Sequence, residues 1–446
     1  MVVRSLAQFS PGRIIILSLM SIISLGALAL ALPGARHTSV SIIDLLFTAT
    51  SALCVTGLWT SPLSHFTAFG HSIIVILMQI GGLGLITLTI FLLSLFTELG
   101  FTTQLMVGRL LDLETWLGLK RLLVVTVLTT MIVELIGMLC FLPTFAQHHT
   151  FGYALFLSFF HAVSSFCNAG ITLDDTSLIP YQQQYFFLII TLLLIMIGSL
   201  GFVTINEYIH LLQSKKKRHF LSLNSKIILY GSAAFIATST LIIFFTEYHH
   251  AFAGMGLLRA LFYAHFHAVS WRSAGFFCIP LATWHLAILF LSLGIAFIGS
   301  APLSTGSGTK ITTIVVFLTT LKSTIMGKTS IDMYGRHLPD EQVHKAMTII
   351  ALSMLWIACA TFILLLTQEG TFFQLFSETT SAFTNLGISQ GFTPTLSTVG
   401  KIIIIMSMIA GRIGSMALIL AILDFTSKRR LEKAGFSYPE ERVMLG

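Results

Sequence analysis

A chain of 446 residues that is 55% hydrophobic and 10% charged, with a mean hydropathy of +0.89, falls far below the roughly 25% of charged residues in a soluble domain. This balance excludes an ordinary water-soluble fold, because no single core hides so much apolar surface. The net charge of +7 does not mark a nucleic-acid binder either, since the basic residues form no groove pattern and sit in short stretches between apolar runs.

The first apolar run, 14–32, is not followed by a small-residue cleavage site and reads as a retained span. The runs 122–142 and 346–366 also exceed the roughly 18 apolar residues expected of a crossing, so the lipid bilayer is the expected solvent. Cys54, Cys140, Cys167, Cys278 and Cys359 are far apart and make neither a disulfide framework nor a zinc motif; they read as small apolar fillers. Lys and Arg number two in 1–13, three in 96–121, five in 212–226, four in 320–345 and five in 425–446. These nineteen of twenty-five share one side if the chain crosses an even number of times between groups, which puts that side and both termini in the cytoplasm.

Between the basic groups one pattern recurs: an apolar span, an apolar segment too short to cross, a small-residue turn, and a second span with a central glycine. The turns are Cys54-Val55-Thr56-Gly57, Cys167-Asn168-Ala169-Gly170, Arg272-Ser273-Ala274-Gly275 and Thr384-Asn385-Leu386-Gly387. Their glycines are 113, 105 and 112 residues apart, and a second glycine follows after 24, 28, 24 and 24 residues at Gly81, Gly198, Gly299 and Gly411. The implied fold is all-α and transmembrane: four fused span–pore loop–span repeats around a central pore, with eight spans and four re-entrant helices. The units are 1–98, 99–212, 213–327 and 328–425, followed by a cytoplasmic tail, 426–446.

A helix of about 12 residues is only about 18 Å long and cannot cross roughly 30 Å of hydrocarbon, so each short segment must enter and return. The extended backbone after it is tolerable at that depth only inside protein or along a water-filled path. Four such loops place backbone carbonyls around one axis, as replacement of a potassium hydration shell requires. Glycine at Gly57, Gly170, Gly275 and Gly387 permits the inward-turned backbone, and the helix C-termini bring negative potential. The filter set is therefore Val55, Thr56, Gly57, Asn168, Ala169, Gly170, Ser273, Ala274, Gly275, Asn385, Leu386 and Gly387, with Asn168 and Asn385 read as loop braces. The competing reading is that the small residues only pack helices, as in a membrane scaffold.

In the third unit, Gly299, Pro302, Gly306 and Gly308 break the second span, because proline removes a helix hydrogen bond and each glycine costs roughly 1 kcal/mol relative to alanine. The break is either a movable gate beneath the loops or a static kink. Lys310 ends it and is expected to meet carbonyls or an acidic partner; the segment lacks the ending of a phosphate-binding loop. Arg412 lies within a span and must be paired, hydrated or pore-facing. Arg272 reads as a clamp on Glu378, Asp44 or a carbonyl, and Glu134 as either a structural hydrogen-bond partner or an interface residue. His161, His265 and His267 read as braces, and no metalloenzyme motif is present. The run Lys215-Lys216-Lys217-Arg218 fits topology or an acidic partner surface.

These residues resemble the Trk/Ktr/HKT superfamily of potassium transporters, and within it the KtrB/TrkH type of ion-translocating subunit, from Phe9 to Gly446. The resemblance is carried by 46–52 with 55–57, Gln79-Ile80-Gly81-Gly82-Leu83-Gly84, Phe160-His161-Ala162 with 168–170, 272–275, 297–310 and Gly411-Arg412-Ile413-Gly414. It implies one selectivity glycine per repeat, a homodimer partly held by the tail, and a cytoplasmic ring of RCK subunits resembling KtrA or TrkA that carries the nucleotide. No cofactor is implied in this chain itself; K+ is the implied transported ion, with Na+ coupling open, in a bacterial inner or plasma membrane. Relatives with serine at the first filter position tend to admit sodium, whereas this chain has Gly57. The family also places an intramembrane gate at the third-unit break and an arginine beside it, here Arg412. Pro302 and Leu303 are bulkier than the Gly, Ala and Ser usual in that stretch. A transporter that alternates around broken helices is the remaining rival; inverted repeats would mark it, and these four units run in one orientation.

Overall fold

Serine and threonine start many of the helices by accepting a backbone N–H three residues on: Ser41 from Asp44, Thr67 from Gly70, Ser222 from Ser225, Thr371 from Gln374 and Ser397 from Gly400. Thr371 and Gln374 complete a reciprocal capping box. The computed structural model describes residues 11–84, 116–213, 221–328 and 330–414. The basic run 215–218, the expected tail 426–446 and most of the basic group 96–121 lie outside the described residues.

The helices are, in order, α1 Pro11–Ala31, α2 Ile42–Cys54, α3 Ala68–Gly82, α4 Trp116–Ala146, α5 Phe151–Phe166, α6 Tyr185–Ser199 and α7 Phe202–Gln213. There follow α8 Leu223–Glu247, α9 Leu257–Ser270, α10 Leu286–Phe297, α11 Ile311–Ile325, α12 Asp340–Thr367, α13 Phe372–Thr384 and α14 Thr398–Ile413. A two-residue hairpin, β1 Asp332–Met333 with β2 Arg336–His337, is antiparallel and joins α11 to α12.

Among the described residues three helical stretches are long and apolar enough to cross a bilayer: Val124–Ala146, Leu223–Glu247 and Asp340–Thr367. Their apolar windows are only 28%, 39% and 33% buried, and α4 leaves Leu128, Met131, Ile132 and Leu135 exposed on its outer side. Such a surface is unfavourable against water and is what a hydrocarbon solvent requires. A fourth span results if α6 and α7, which meet at 95°, are taken as one.

One core joins α1, α2, α3 and α5 to Leu375 of α13 and Met408 of α14, so the two ends of the described chain pack together. A second core gathers Phe141, Phe187, Trp271 and Trp284 from α4 to α10. The four short helices α2, α5, α9 and α13 are largely buried, and each delivers its C-terminal end to one of the four small-residue turns.

Candidate functional site

The four turns close a ring. A Cβ placed on Gly57 would strike the Ala169 carbonyl oxygen, one on Gly170 that of Ala274, one on Gly275 that of Leu386, and one on Gly387 that of Thr56. Each glycine thus lies against the carbonyl just before the next turn's glycine, and the fourth returns to the first. All four have positive φ, at 91°, 65°, 72° and 83°, so space and backbone conformation both demand glycine.

Serine anchors set this geometry. The N–H groups of Thr56, Ala169, Ala274 and Leu386 donate back to the carbonyls of Ser51, Ser164, Ser270 and Ser381 at 2.8, 2.8, 2.8 and 2.9 Å. Ser51 Oγ also accepts from the Gly57 N–H at 3.1 Å, and Ser270 Oγ donates to the Phe276 carbonyl at 2.6 Å. With their N–H groups held backward, the carbonyls of Thr56, Ala169, Ala274 and Leu386 accept no hydrogen bond among the described residues, although all four residues are fully buried. Buried carbonyls are normally paired, so a ring of four unpaired ones is suited to a desolvated cation. The neighbouring helix ends add negative potential. A cavity of about 220 Å³ opens on the same residues and is lined by Gly57, Gly170, Gly275 and Gly387 together with Ser51 and Asp175.

The turns are not identical. Val55, Asn168 and Asn385 adopt positive φ of 57°, 58° and 53°, whereas Ser273 does not. The anchoring serine stands six residues before the glycine in three turns and five before it in the third, which shortens that loop by one residue. Asn385 Nδ2 donates to Thr56 Oγ1 at 2.7 Å, tying the fourth turn to the first. Asn168 Oδ1 accepts from Ser273 Oγ at 3.3 Å, tying the second to the third. Glu378 accepts from Thr393 Oγ1 at 2.9 Å and from Ser389, supporting the chain beyond Gly387.

Against the third turn, where Gly306 abuts Ser273, residues 298–310 separate α10 from α11, and Leu303 and Gly308 have positive φ of 51° and 79°. A second break, which the sequence reading did not anticipate, separates α6 from α7 at Gly201, with φ 82°. The two breaks satisfy each other: Ala301 N–H donates to Ser199 O at 3.1 Å, Thr305 N–H to Gly198 O at 3.2 Å, and Phe202 N–H to Leu303 O at 2.9 Å. Irregular backbone is thereby paired with protein rather than left to lipid. The bulkier Leu303 takes the left-handed conformation while its carbonyl receives Phe202.

Three basic side chains hold this segment through neutral oxygens. Arg412 Nη1 donates to Thr305 O at 2.8 Å and to Ser307 Oγ at 2.7 Å, and Nη2 donates to Gly81 O. Arg272 Nε donates to Gly299 O at 3.1 Å, which makes its clamp partner a carbonyl rather than Glu378 or Asp44. Lys310 Nζ donates to Gly306 O at 2.8 Å. No acidic group pairs with Arg412 among the described residues, so the ion-pair alternative for it does not hold there. Glu134 accepts from Gln79 Nε2 at 3.0 Å and His161 Nε2 meets Thr191 Oγ1 at 3.0 Å, both as internal hydrogen-bond partners.

The second glycines divide similarly. Gly81, Gly198 and Gly411 press on the carbonyls of Leu53, Phe166 and Phe383 in the last turns of α2, α5 and α13, but Gly299 presses on Ser307 of its own segment. The residues that sequence reasoning missed are the serine anchors and Gly201. Serine six residues before the turn glycine in three units was the available signal for the anchors.

An apolar helical body around a carbonyl-walled cavity is the architecture of a membrane cation transporter. A family model described as TrkH, cation transport protein, matches residues 12–429. The chain is 31% identical to the Ktr system potassium uptake protein B of Bacillus subtilis, with 98% of this chain and 97% of that protein covered. It is 32% identical to the protein of the same name from Vibrio alginolyticus, with 99% and 96% covered, and 30% identical to the potassium/sodium uptake protein NtpJ of Enterococcus hirae, with 98% of each covered. Its fold matches the crystal structure of the potassium transporter TrkH from Vibrio parahaemolyticus with a TM-score of 0.72 at 20% identity, covering 92% of this chain and 83% of that one. The chain belongs to the TrkH family of cation transport proteins.

Proposed function

We propose that this chain takes up potassium across the cell membrane through the ring formed by Thr56-Gly57, Ala169-Gly170, Ala274-Gly275 and Leu386-Gly387. The observation that carries this reading is the closed sequence of glycine-to-carbonyl approaches, with four buried carbonyls that no hydrogen bond engages among the described residues. Neutral carbonyls replace the hydration shell of a monovalent cation without trapping it, and inward flow gains about 2.3 kcal/mol per charge per 100 mV. The printed activities of the relatives, potassium uptake and potassium/sodium uptake, fit the same reading.

The fuller proposal has four repeats with eight spans, both termini cytoplasmic, assembled as a homodimer on a nucleotide-binding RCK ring. The breaks between α6 and α7 and between α10 and α11 account for the short helices in the second spans of the second and third repeats, and α6 with α7 passes together as one bent span. The 299–309 segment is the gate: it lies under the third turn, where Gly306 abuts Ser273, and its hydrogen bonds to α6, α7 and Arg412 can be exchanged as a set. Potassium-competed rubidium-86 uptake, in cells lacking their own potassium uptake and with the RCK partner co-expressed, tests this. Uptake that loses discrimination against sodium in Gly57→Ser supports the four-turn filter, and acceleration by external sodium supports symport. Correctly inserted protein with no uptake leaves the helix-packing scaffold as the better reading.

A further inference from the structure

At the C-terminal end of α8 and the start of α10, away from the ring, lies a cluster that the transport reading does not use. Glu247 is fully buried, yet both of its oxygens meet imidazoles: Oε2 is 3.3 Å from His250 Nδ1 and Oε1 is 3.2 Å from His285 Nδ1. The two imidazoles are about half exposed, with ring centroids 3.7 Å apart and planes at 35°. One ligand atom from each of the three residues lies within 4.8 Å of the others. We infer that Glu247, His250 and His285 form a binding site for a divalent transition-metal ion with the coordination preferences of zinc.

In the absence of an ion the two contacts are long hydrogen bonds. A charge-assisted N–H to carboxylate bond is usually about 2.7–2.9 Å long, and both contacts here are longer. An ion held by both Nδ1 atoms and one carboxylate oxygen needs its ligands about 2.0–2.2 Å away, which a small closure of these three side chains supplies, since their ligand atoms already lie within 4.8 Å of one another. Two imidazoles and a carboxylate suit zinc, and the half-exposed side leaves a fourth position for water.

The support behind the ligands is already in place. The Glu247 carboxylate accepts the His285 N–H at 3.1 Å and the Ala251 N–H at 3.3 Å, which fixes its orientation before any ion arrives. Trp284, next to His285, packs against Phe252 and Trp271 with ring centroids 5.5 and 4.8 Å away. A metal here would staple α8 to the residue that caps the start of α10, the helix that runs into the 299–309 segment. The 35-residue gap between the two histidines forms no recognisable motif, which is why the site is invisible in sequence.

The test is zinc binding to the purified full chain in detergent, followed by isothermal titration and by the thermal unfolding midpoint with and without zinc. The expected result is one ion per chain and a raised midpoint, with affinity lowered at least about 10-fold in His250→Gln and in His285→Gln. Because both rings are half exposed, these variants should keep the wild-type midpoint in the absence of metal. Zinc binding that is unchanged in the double variant, or no binding to folded wild type at micromolar zinc, overturns the assignment. Neither readout depends on transport, so the result stands apart from that of the uptake assay.

Discussion

Arg412 and Thr305 are 107 residues apart in sequence, and the arginine Nη1 donates to the threonine carbonyl at 2.8 Å. With the bonds to Ser307 and Gly81, one guanidinium joins α14, the segment between α10 and α11, and the end of α3. If that segment is the gate, Arg412 is a latch that favours the closed arrangement. Arg412→Gln is expected to raise the maximal rubidium uptake rate several-fold with little change in half-saturation, and Arg412→Lys, which cannot serve all three acceptors, to fall between. A changed half-saturation at constant maximal rate would instead assign Arg412 to the ion-binding path.

The tightest approach in the ring is that of Gly275 to the Leu386 carbonyl. Gly275→Ala places a methyl group on that oxygen at φ +72°, so the substitution must displace a ring carbonyl as well as bear left-handed strain of about 1–2 kcal/mol. Uptake should drop at least tenfold while membrane insertion persists. Gly335→Ala is the matched control, because Gly335 has φ +73° with nothing within 4 Å of the added Cβ, and it should transport normally. Equal losses in both would trace the defect to backbone strain rather than to the ring.

The turns were legible because their demand is local: a positive-φ glycine at the end of a helix too short to cross leaves a mark in any sequence. The third-unit break was legible for the same reason, through Pro302 and three glycines. The break at Gly201 was not, because Gly198 and Gly201 come without a proline, and it exists by virtue of hydrogen bonds that residues 301–305 exchange with it from another part of the chain. Long-range partners were hidden likewise. Arg272 was readable as a clamp, but sequence offered Glu378, Asp44 and carbonyls equally, and only folding brings Gly299 to it.

Asn385 and Thr56 join the fourth turn to the first through a 2.7 Å hydrogen bond between side chains that are both fully buried. Thr56→Val removes the hydroxyl and leaves the amide without that acceptor, and Asn385→Leu does the reverse. A double-mutant cycle on thermal unfolding should give a coupling of about 1 kcal/mol. Both single variants should also admit more sodium, since the brace fixes the Thr56 carbonyl against Gly387. Additive effects would mean that the two side chains act independently.

Asp44 and Lys401 close the outer rim of the same junction. Lys401 Nζ lies 2.6 Å from Asp44 Oδ1, Ser41 Oγ donates to Oδ2 at 2.6 Å, and the ionic side chains are only 14% and 13% exposed. The bond spans 357 residues and ties the start of α2 to α14. Removing one partner from a largely desolvated pair leaves the other charge uncompensated, at a cost of about 3 kcal/mol, whereas removing both restores neutrality. Lys401→Met should therefore lower the unfolding midpoint clearly, and Lys401→Met with Asp44→Leu should regain most of the loss. High salt should reproduce little of the single-variant effect, because a pair this sheltered is weakly screened. If the double variant is as unstable as the sum of the singles, Asp44 acts mainly through Ser41 at the start of α2, and the rim is held by apolar packing between α2 and α14.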